Sequence, residues 1–364
     1  MNDIRIQPQW PWGTWAILVV SLCLGLLTTP AGFAASREKT VRIGVLYWSM
    51  NIPGQVAMRK GLEDEARRIN DAARRQNGPA LVLIPRVAGD GAPGVERQIG
   101  QMYELIQQKP EAIIVQPADN AALAAPLRMA NQAHIPVVAY DQYISGGTLA
   151  AYITSDNHQA GYLDGEYLAA QFPHEKAIKL ILVDYPRVSS TVERLNGFLD
   201  ALRDQGQAYS ILKTYEAVEP EGGQRAGQQI LRDFPDKGSV DAIFTVNDGG
   251  GLSVVDALAA VGRTEIMVAS IDGDPKSVDN IRAGRLTRID AAQFCGPLGA
   301  EAIKSAYALA TSKPTPRQSL VPVFPITRDT LQRYPGWAGP LPAKFTKPWA
   351  ARNPAWEGLV KDVK

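Results

Sequence analysis

Short apolar runs alternate along the chain with longer stretches whose apolar positions fall three or four residues apart. That alternation predicts strands followed by helices. The unit is clearest from Glu111 to Gln142. Ala112 to Val115 is an apolar run closed by Gln116, Pro117, Ala118 and Asp119, and Ala122 to Ala133 carries a helical pattern through Leu123, Leu127 and Ala130. Ile135 to Tyr140 is a second, β-branched run that stops at Asp141 and Gln142. A helix joining two apolar strands implies a parallel sheet, and such sheets bind ligands beyond the carboxyl ends of their strands. Asp141 is therefore expected in a cleft.

The same reading places strands at Val41 to Leu46, Leu81 to Ile84, Ile178 to Val183, Tyr209 to Tyr215, Ala242 to Val246, Ile266 to Ile271 and Arg288 to Ala291. Helices are expected at Gly54 to Ala73, Gly94 to Gln108, His158 to Phe172, Val192 to Gln205, Gln224 to Phe234, Gly250 to Val261, Lys276 to Ala283 and Leu298 to Ala310. With every strand followed by a helix, the fold class is α/β, built as doubly wound lobes. A length of 364 residues suits two of them. Residues 334–364 differ: Pro335, Pro340, Pro342, Pro348 and Pro354 interrupt regular elements, and Trp337, Trp349 and Trp356 are too irregularly spaced for one helix face. This segment reads as a tail laying its tryptophans over the body, or else as a docking surface for a partner.

Residues 1–34 read as a signal peptide. Arg5 precedes the apolar run Trp15 to Leu27, and Gly32-Phe33-Ala34 offers a cleavage site after Ala34. The apolar run is shorter than the roughly 20 residues needed to span a bilayer. Export to the periplasm is expected, and with Cys23 in the signal, Cys295 is left alone, a small core hydrophobe with no partner for a disulfide.

A net charge of +1 makes no electrostatic case for nucleic acid or an anionic membrane. His134, His158 and His174 lack metal-ligand spacing, and Asp248-Gly249-Gly250-Gly251 lacks the full dinucleotide-binding pattern. No metal and no cofactor are expected. The chemistry lies at four strand ends: Asp141, Asn247-Asp248, Asp272-Gly273-Asp274 and Gln293. Two carboxylates and two amides suit a neutral polyhydroxylated ligand. Each aspartate alone could be a helix N-cap, and Asp141 with Asp272 could be imagined as a glycosidase pair. The reading here is a binding cleft with no catalytic residue.

Asn247-Asp248 after a strand, Ile271-Asp272-Gly273, the run Met129-Ala130-Asn131-Gln132-Ala133 leading through Ile135-Pro136-Val137 to Asp141, and Ser155-Asp156-Asn157 together resemble the type I periplasmic sugar-binding proteins. These are the ribose-binding protein and its relatives, which share the effector lobes of LacI-type repressors. The resemblance runs from about Val41 to about Pro325. It implies two Rossmann-like lobes joined by three crossover strands, near Ser155-Asp156, Gln293 and Pro322, and closing on a sugar. The lobes would be 41–154 plus 294–322 and 155–293 plus 323–333. Asp141, Asn247, Asp272 and Gln293 match positions that hydrogen-bond sugar hydroxyls.

Departures from the family pattern concern the ring clamp. In the loop Trp48-Ser49-Met50-Asn51-Ile52-Pro53-Gly54-Gln55, Gly54 and Gln55 occupy the usual aromatic positions. Gln142 replaces an expected arginine, another falls at Val192 although Arg187 or Arg194 could reach inward, and Val218 replaces the second-lobe aromatic. Tyr47, Trp48, Tyr143 and Tyr185 could form a rearranged stacking surface. The expected ligand set is thus Asp141, Asn247, Asp272, Gln293, Trp48, Asn51, Gln142, Tyr143 and Arg194, around a sugar or related polyol bulkier than ribose or glucose. The twin α/β pattern predicts a monomer, and the expected partner of its closed form is an ABC permease, with a chemoreceptor or histidine kinase as the alternative. The first loop also resembles, more faintly, TorT-like proteins, whose partner is a sensor protein.

Overall fold

The computed structural model describes residues 40–363. The expected signal peptide lies outside them. The chain opens with β1 (Thr40–Tyr47), α1 (Pro53–Arg75), β2 (Ala80–Val87), α2 (Gly91–Gln107), β3 (Ala112–Val115), α3 (Ala124–Gln132), β4 (Val137–Tyr140) and β5 (Ala151–Ser155). It continues with α4 (Asn157–Ala169), β6 (Ile178–Asp184), α5 (Ser189–Asp204), β7 (Tyr209–Glu216), α6 (Pro220–Asp233), β8 (Ala242–Thr245), α7 (Asp248–Ala260), β9 (Met267–Asp272), α8 (Pro275–Arg282) and β10 (Thr287–Ala292). Then come α9 (Cys295–Ala310), β11 (Gln318–Val321) and β12 (Phe324–Thr327), followed by the short strands β13 (Phe345–Thr346), β14 (Ala355–Trp356) and β15 (Lys361–Val363).

Two sheets result, one per lobe. The first has the order β15-β11-β5-β4-β3-β1-β2 and the second β12-β10-β9-β8-β6-β7. All pairs within them are parallel except β11 with β15 and β10 with β12. Helices cover both faces of a parallel sheet, so its central strands are apolar throughout. β3, β4 and β8 are buried at every position. No described helix is long and apolar enough to cross a membrane. Cys295 is free and buried, and burial pushes its thiol well above the usual range.

As far as β12 the chain passes between the sheets three times, after Ser155, after Ala292 and between Val321 and Phe324, and the tail then returns to the first sheet at β15. The expected helix after every strand fails twice, between β4 and β5 within the first sheet and between β11 and β12 at the last of these passages. β4 runs through a loop into its own neighbour β5, and β11 continues past Pro322 straight into β12, where a segment that changes lobes stays extended to span them. The tail also differs from expectation. Its prolines leave room for β13 and β14 to pair as a hairpin and for β15 to join the first sheet.

Three helix pairs pack backbone to backbone. A Cβ on Gly161 of α4 would lie 1.7 Å from the carbonyl oxygen of Arg194, and one on Gly197 of α5 would lie 2.0 Å from that of His158. Likewise Gly299 of α9 sits against Met58 of α1, and Gly223 of α6 against Gly250 of α7. These contacts fix the depth at which α5 carries Arg194 toward the cleft.

Candidate ligand-binding site

The carboxyl ends of both sheets meet at one place. Asp141 follows β4 with φ 66°, and its carbonyl accepts hydrogen bonds from Thr154 Oγ1 (2.8 Å) and the Tyr152 hydroxyl (3.2 Å). The backbone is thereby pinned, so the side chain projects off the sheet edge. Its Oδ2 accepts from Gln116 Nε2 at 3.0 Å and Gln142 Nε2 at 2.8 Å, while Oδ1 is buried with no protein partner. Gln142 Oε1 is likewise buried and unpartnered. Asp141 caps no helix.

Asp272 comes from the other sheet. Its Oδ1 accepts from Arg194 Nη1 at 3.0 Å and Gln293 Nε2 at 2.7 Å. The helix-capping alternative goes to its neighbour: Asp274 accepts from Lys276 N and caps α8. Gln293 turns its carbonyl to Ser155 Oγ at 2.7 Å, so two of the crossing segments are tied beneath the site. Arg194 also donates to Asn157 Oδ1 and the Val246 carbonyl, both at 2.9 Å. Asn247 both caps α7, accepting from Gly250 N, and donates to the Val218 carbonyl.

Asp141, Gln142, Arg194, Asn247, Asp272 and Gln293, with Trp48, Ile52, Gly54, Gln55, Met58, Val188, Ser190, Thr191 and Val218, line one space of about 20 Å³. That is room for roughly one water molecule. The lips above it are shut by bonds between lobes: Asn120 N to the Arg187 carbonyl and Ser189 N to Asn120 Oδ1, both 2.9 Å, Gly91 N to Glu219 Oε1 at 3.0 Å, and Tyr143 N to Ser189 Oγ at 3.1 Å. The volume expected from the absent aromatic clamp is therefore not there. Trp48 stacks on Tyr185 with ring centroids 6.5 Å apart, and the ring of Trp337 stands 4.0 Å from where a Gly54 Cβ would be.

Seven of the nine expected residues converge here: Asp141, Asn247, Asp272, Gln293, Trp48, Gln142 and Arg194. Asn51 does not. It is exposed, held there by its side chain donating to Asp90 and its backbone N–H donating to Ser49 Oγ. Tyr143 sits on the lip, 38% exposed and edge-on to Tyr152. Tyr47 is core, with its hydroxyl on Glu63. Of the two arginines that could reach inward, Arg194 does; Arg187 instead pairs with Glu216 at the surface. Sequence reasoning missed Ser190 and Thr191. The available signal was a Ser-Ser-Thr run opening a helix just after a strand, at the same sheet edge as the other ligand residues.

Burial pushes Asp272 up to about 6, against the opposing pull of Arg194. Burial also raises Asp141, opposed by Arg194 and by the amides of Gln116 and Gln142. Two acidic side chains, Asp141 and Asp272, share the lined space with one guanidinium, that of Arg194. That arrangement favours hydroxyl or other donor groups and disfavours an anion.

Comparison with known proteins agrees with this geometry. Residues 43–314 match the periplasmic binding protein domain family. The ribose import binding protein of Escherichia coli K12 is 26% identical over 265 residues, covering 72% of this chain and 83% of that protein. The corresponding protein of Bacillus subtilis 168 is 26% identical over 296 residues, covering 78% and 90%. Among solved structures, an ABC transporter periplasmic solute-binding protein from Actinobacillus succinogenes 130z with bound D-allose superposes with TM-score 0.67 at 24% identity, covering 81% of this chain and all of that one. Two parallel sheets, three crossings, a polar cleft at the facing strand ends and a family match over most of the chain lead to one conclusion: this chain belongs to the periplasmic binding protein family, whose members bind solutes and are not enzymes.

Proposed function

We propose that the protein is an exported receptor that closes on a neutral sugar or polyol and hands it to an ABC-type sugar permease. The observation that carries this reading is the pair Asp141 and Asp272, one from each lobe, lining the same space with Arg194 as the cation bonded to Asp272. Vicinal hydroxyls can donate to both, whereas a phosphorylated or acidic sugar would meet like charge. The relatives named above, both ribose import binding proteins, support the same class of ligand. In this role residues 1–34 are an export signal cleaved after Ala34, and the mature receptor is a monomer.

Closing the cleft buries Asp141 Oδ1 and Gln142 Oε1 without protein partners. Each such atom costs about 1–3 kcal/mol. Hydroxyls from the ligand remove that cost, so ligand shifts an open and closed equilibrium by its differential affinity for the closed form. The test is a thermal-shift panel of pentoses, hexoses, polyols, sugar phosphates and sugar acids. A neutral polyol present at a hundred times its Kd stabilises the protein by about 2.7 kcal/mol, a rise of several degrees in Tm. A sugar phosphate or sugar acid as the strongest stabiliser, or no response to any neutral polyol, refutes the proposal.

A further inference from the structure

The Asp272 carboxylate is held by Arg194 and Gln293, yet its backbone stands in an unusual conformation, φ 132°. A non-glycine residue keeps such a conformation only when its surroundings over-determine it. Part of that restraint comes from the tail, beyond the family match. The Trp337 indole Nε1 donates to the Asp272 carbonyl at 2.7 Å, and the Tyr334 hydroxyl donates to the Gly273 carbonyl at 3.4 Å. The same Trp337 reaches the other lobe. Its carbonyl accepts from Gly296 N at 3.0 Å in the first turn of α9, and its ring lies beside Gly54, which lines the ligand space.

The geometry points to Trp337 as a positioning residue of the ligand site, which sets the backbone of Asp272 from behind and ties it across the lobe boundary to α1 and α9. The other tail tryptophans do something different. Trp349 Nε1 donates to Glu166 of α4, within one lobe, and Trp356 Nε1 donates to the Val323 carbonyl on the last crossing. Of these three tryptophans, Trp337 alone joins Asp272 of one lobe to helices of the other. The absence of a side chain at Gly54 makes room for this: the space that a larger residue there would fill is bordered by the Trp337 ring and Cys295 Sγ. The inference rests on the reading of Asp272 as a ligand residue.

The test compares W337F with W349F, each of which keeps a ring and loses an indole N–H. Both are made in the full chain and measured without added sugar, so a failure of the sugar panel leaves the result interpretable. Amide exchange is followed at Gly273 and Asp274, which donate to Asp290 and Asp248. Distances between the lobes are read by spin labels at Arg75→Cys on α1 and Arg232→Cys on α6. W337F should speed exchange at both amides by tenfold or more and shift the distances toward longer values. W349F should lower Tm comparably while leaving both readouts at wild-type values. Unchanged exchange or unchanged distances in W337F overturns the proposal, and so does an equal effect of W349F, which would make the segment generic packing.

Discussion

At the scale of single residues, the two aspartates of the cleft differ in what they hold. Asp141 has one bonded and one unpartnered oxygen and no ion pair, whereas Asp272 is the carboxylate partner of Arg194, whose side chain is 3% exposed. Asp141→Ala should therefore weaken sugar binding by about 1.5–3 kcal/mol, ten- to a hundredfold, with little change in urea stability. Asp272→Ala strands a buried guanidinium and should in addition cost about 3–5 kcal/mol of stability. Calorimetry with the best stabiliser from the sugar panel and parallel urea melts separate the two. The pH response follows from the same burial. Asp272, Asp141, Asp248 and Asp290 all lie above their ordinary value of 3.8, burial being the first cause in each. An acid with a raised folded pKa contributes stability that is complete below its unfolded pKa and lost as pH rises through the folded value. For Asp272 that window runs from 3.8 to about 6. Unliganded protein should lose stability from pH 4 to 6, while sugar affinity should instead fall as pH drops through about 6 and Asp272 takes up a proton. Urea unfolding and calorimetry across that range check both slopes; parallel slopes contradict the assignment. Asp141, Asp272, Asn247 and Gln293 were legible because strand-end polar residues follow apolar runs. Arg194 stood open beside Arg187, since only the depth of α5 decides which arginine points inward.

At the scale of elements, that depth is set by glycine. Gly161→Ala drives a methyl into the Arg194 carbonyl, so α5 must move outward and carry the guanidinium with it. The expected cost is about 1–3 kcal/mol in stability, together with weaker sugar binding although no ligand-lining residue has changed. Gly100→Ala in α2, with open space around its Cβ, should instead stabilise by up to about 1 kcal/mol and leave binding alone. Wild-type affinity in Gly161→Ala would show that the α4 and α5 contact does not govern the site. Helices and strands of the two lobes were legible from periodicity, because long amphipathic helices and fully apolar parallel strands carry strong patterns. β5, β11 and β12 were not. They are short, lie next to Pro322 or glycine-rich loops, and owe their strand conformation to pairing with strands distant in sequence, β5 with β11 and β12 with β10, a condition no local pattern encodes.

At the scale of the whole molecule, the lobes meet through hydrogen bonds at the lips and through three crossings at the base. A space of about 20 Å³ admits no sugar ring, so ligand must enter an open form, and the form closed on ligand must hold the lobes further apart than they stand here. Small-angle scattering should show a broad ligand-free ensemble that narrows and compacts with saturating sugar. An unchanged profile would exclude closure as the mechanism. The twin-lobed plan could be read from the repeated strand and helix pattern, but the width of the cleft could not, since it depends on Trp48, Val188, Val218 and the tail packing together.

The pairing of β15 with β11 has a consequence for behaviour at high concentration. Without Lys361, Asp362 and Val363, the strand Gln318–Val321 would be the outermost of its sheet, offering a row of free amides and carbonyls to any other extended chain. Residues 361–363 act as a built-in edge guard, and a variant lacking them should self-associate as protein concentration rises while its sugar site remains complete.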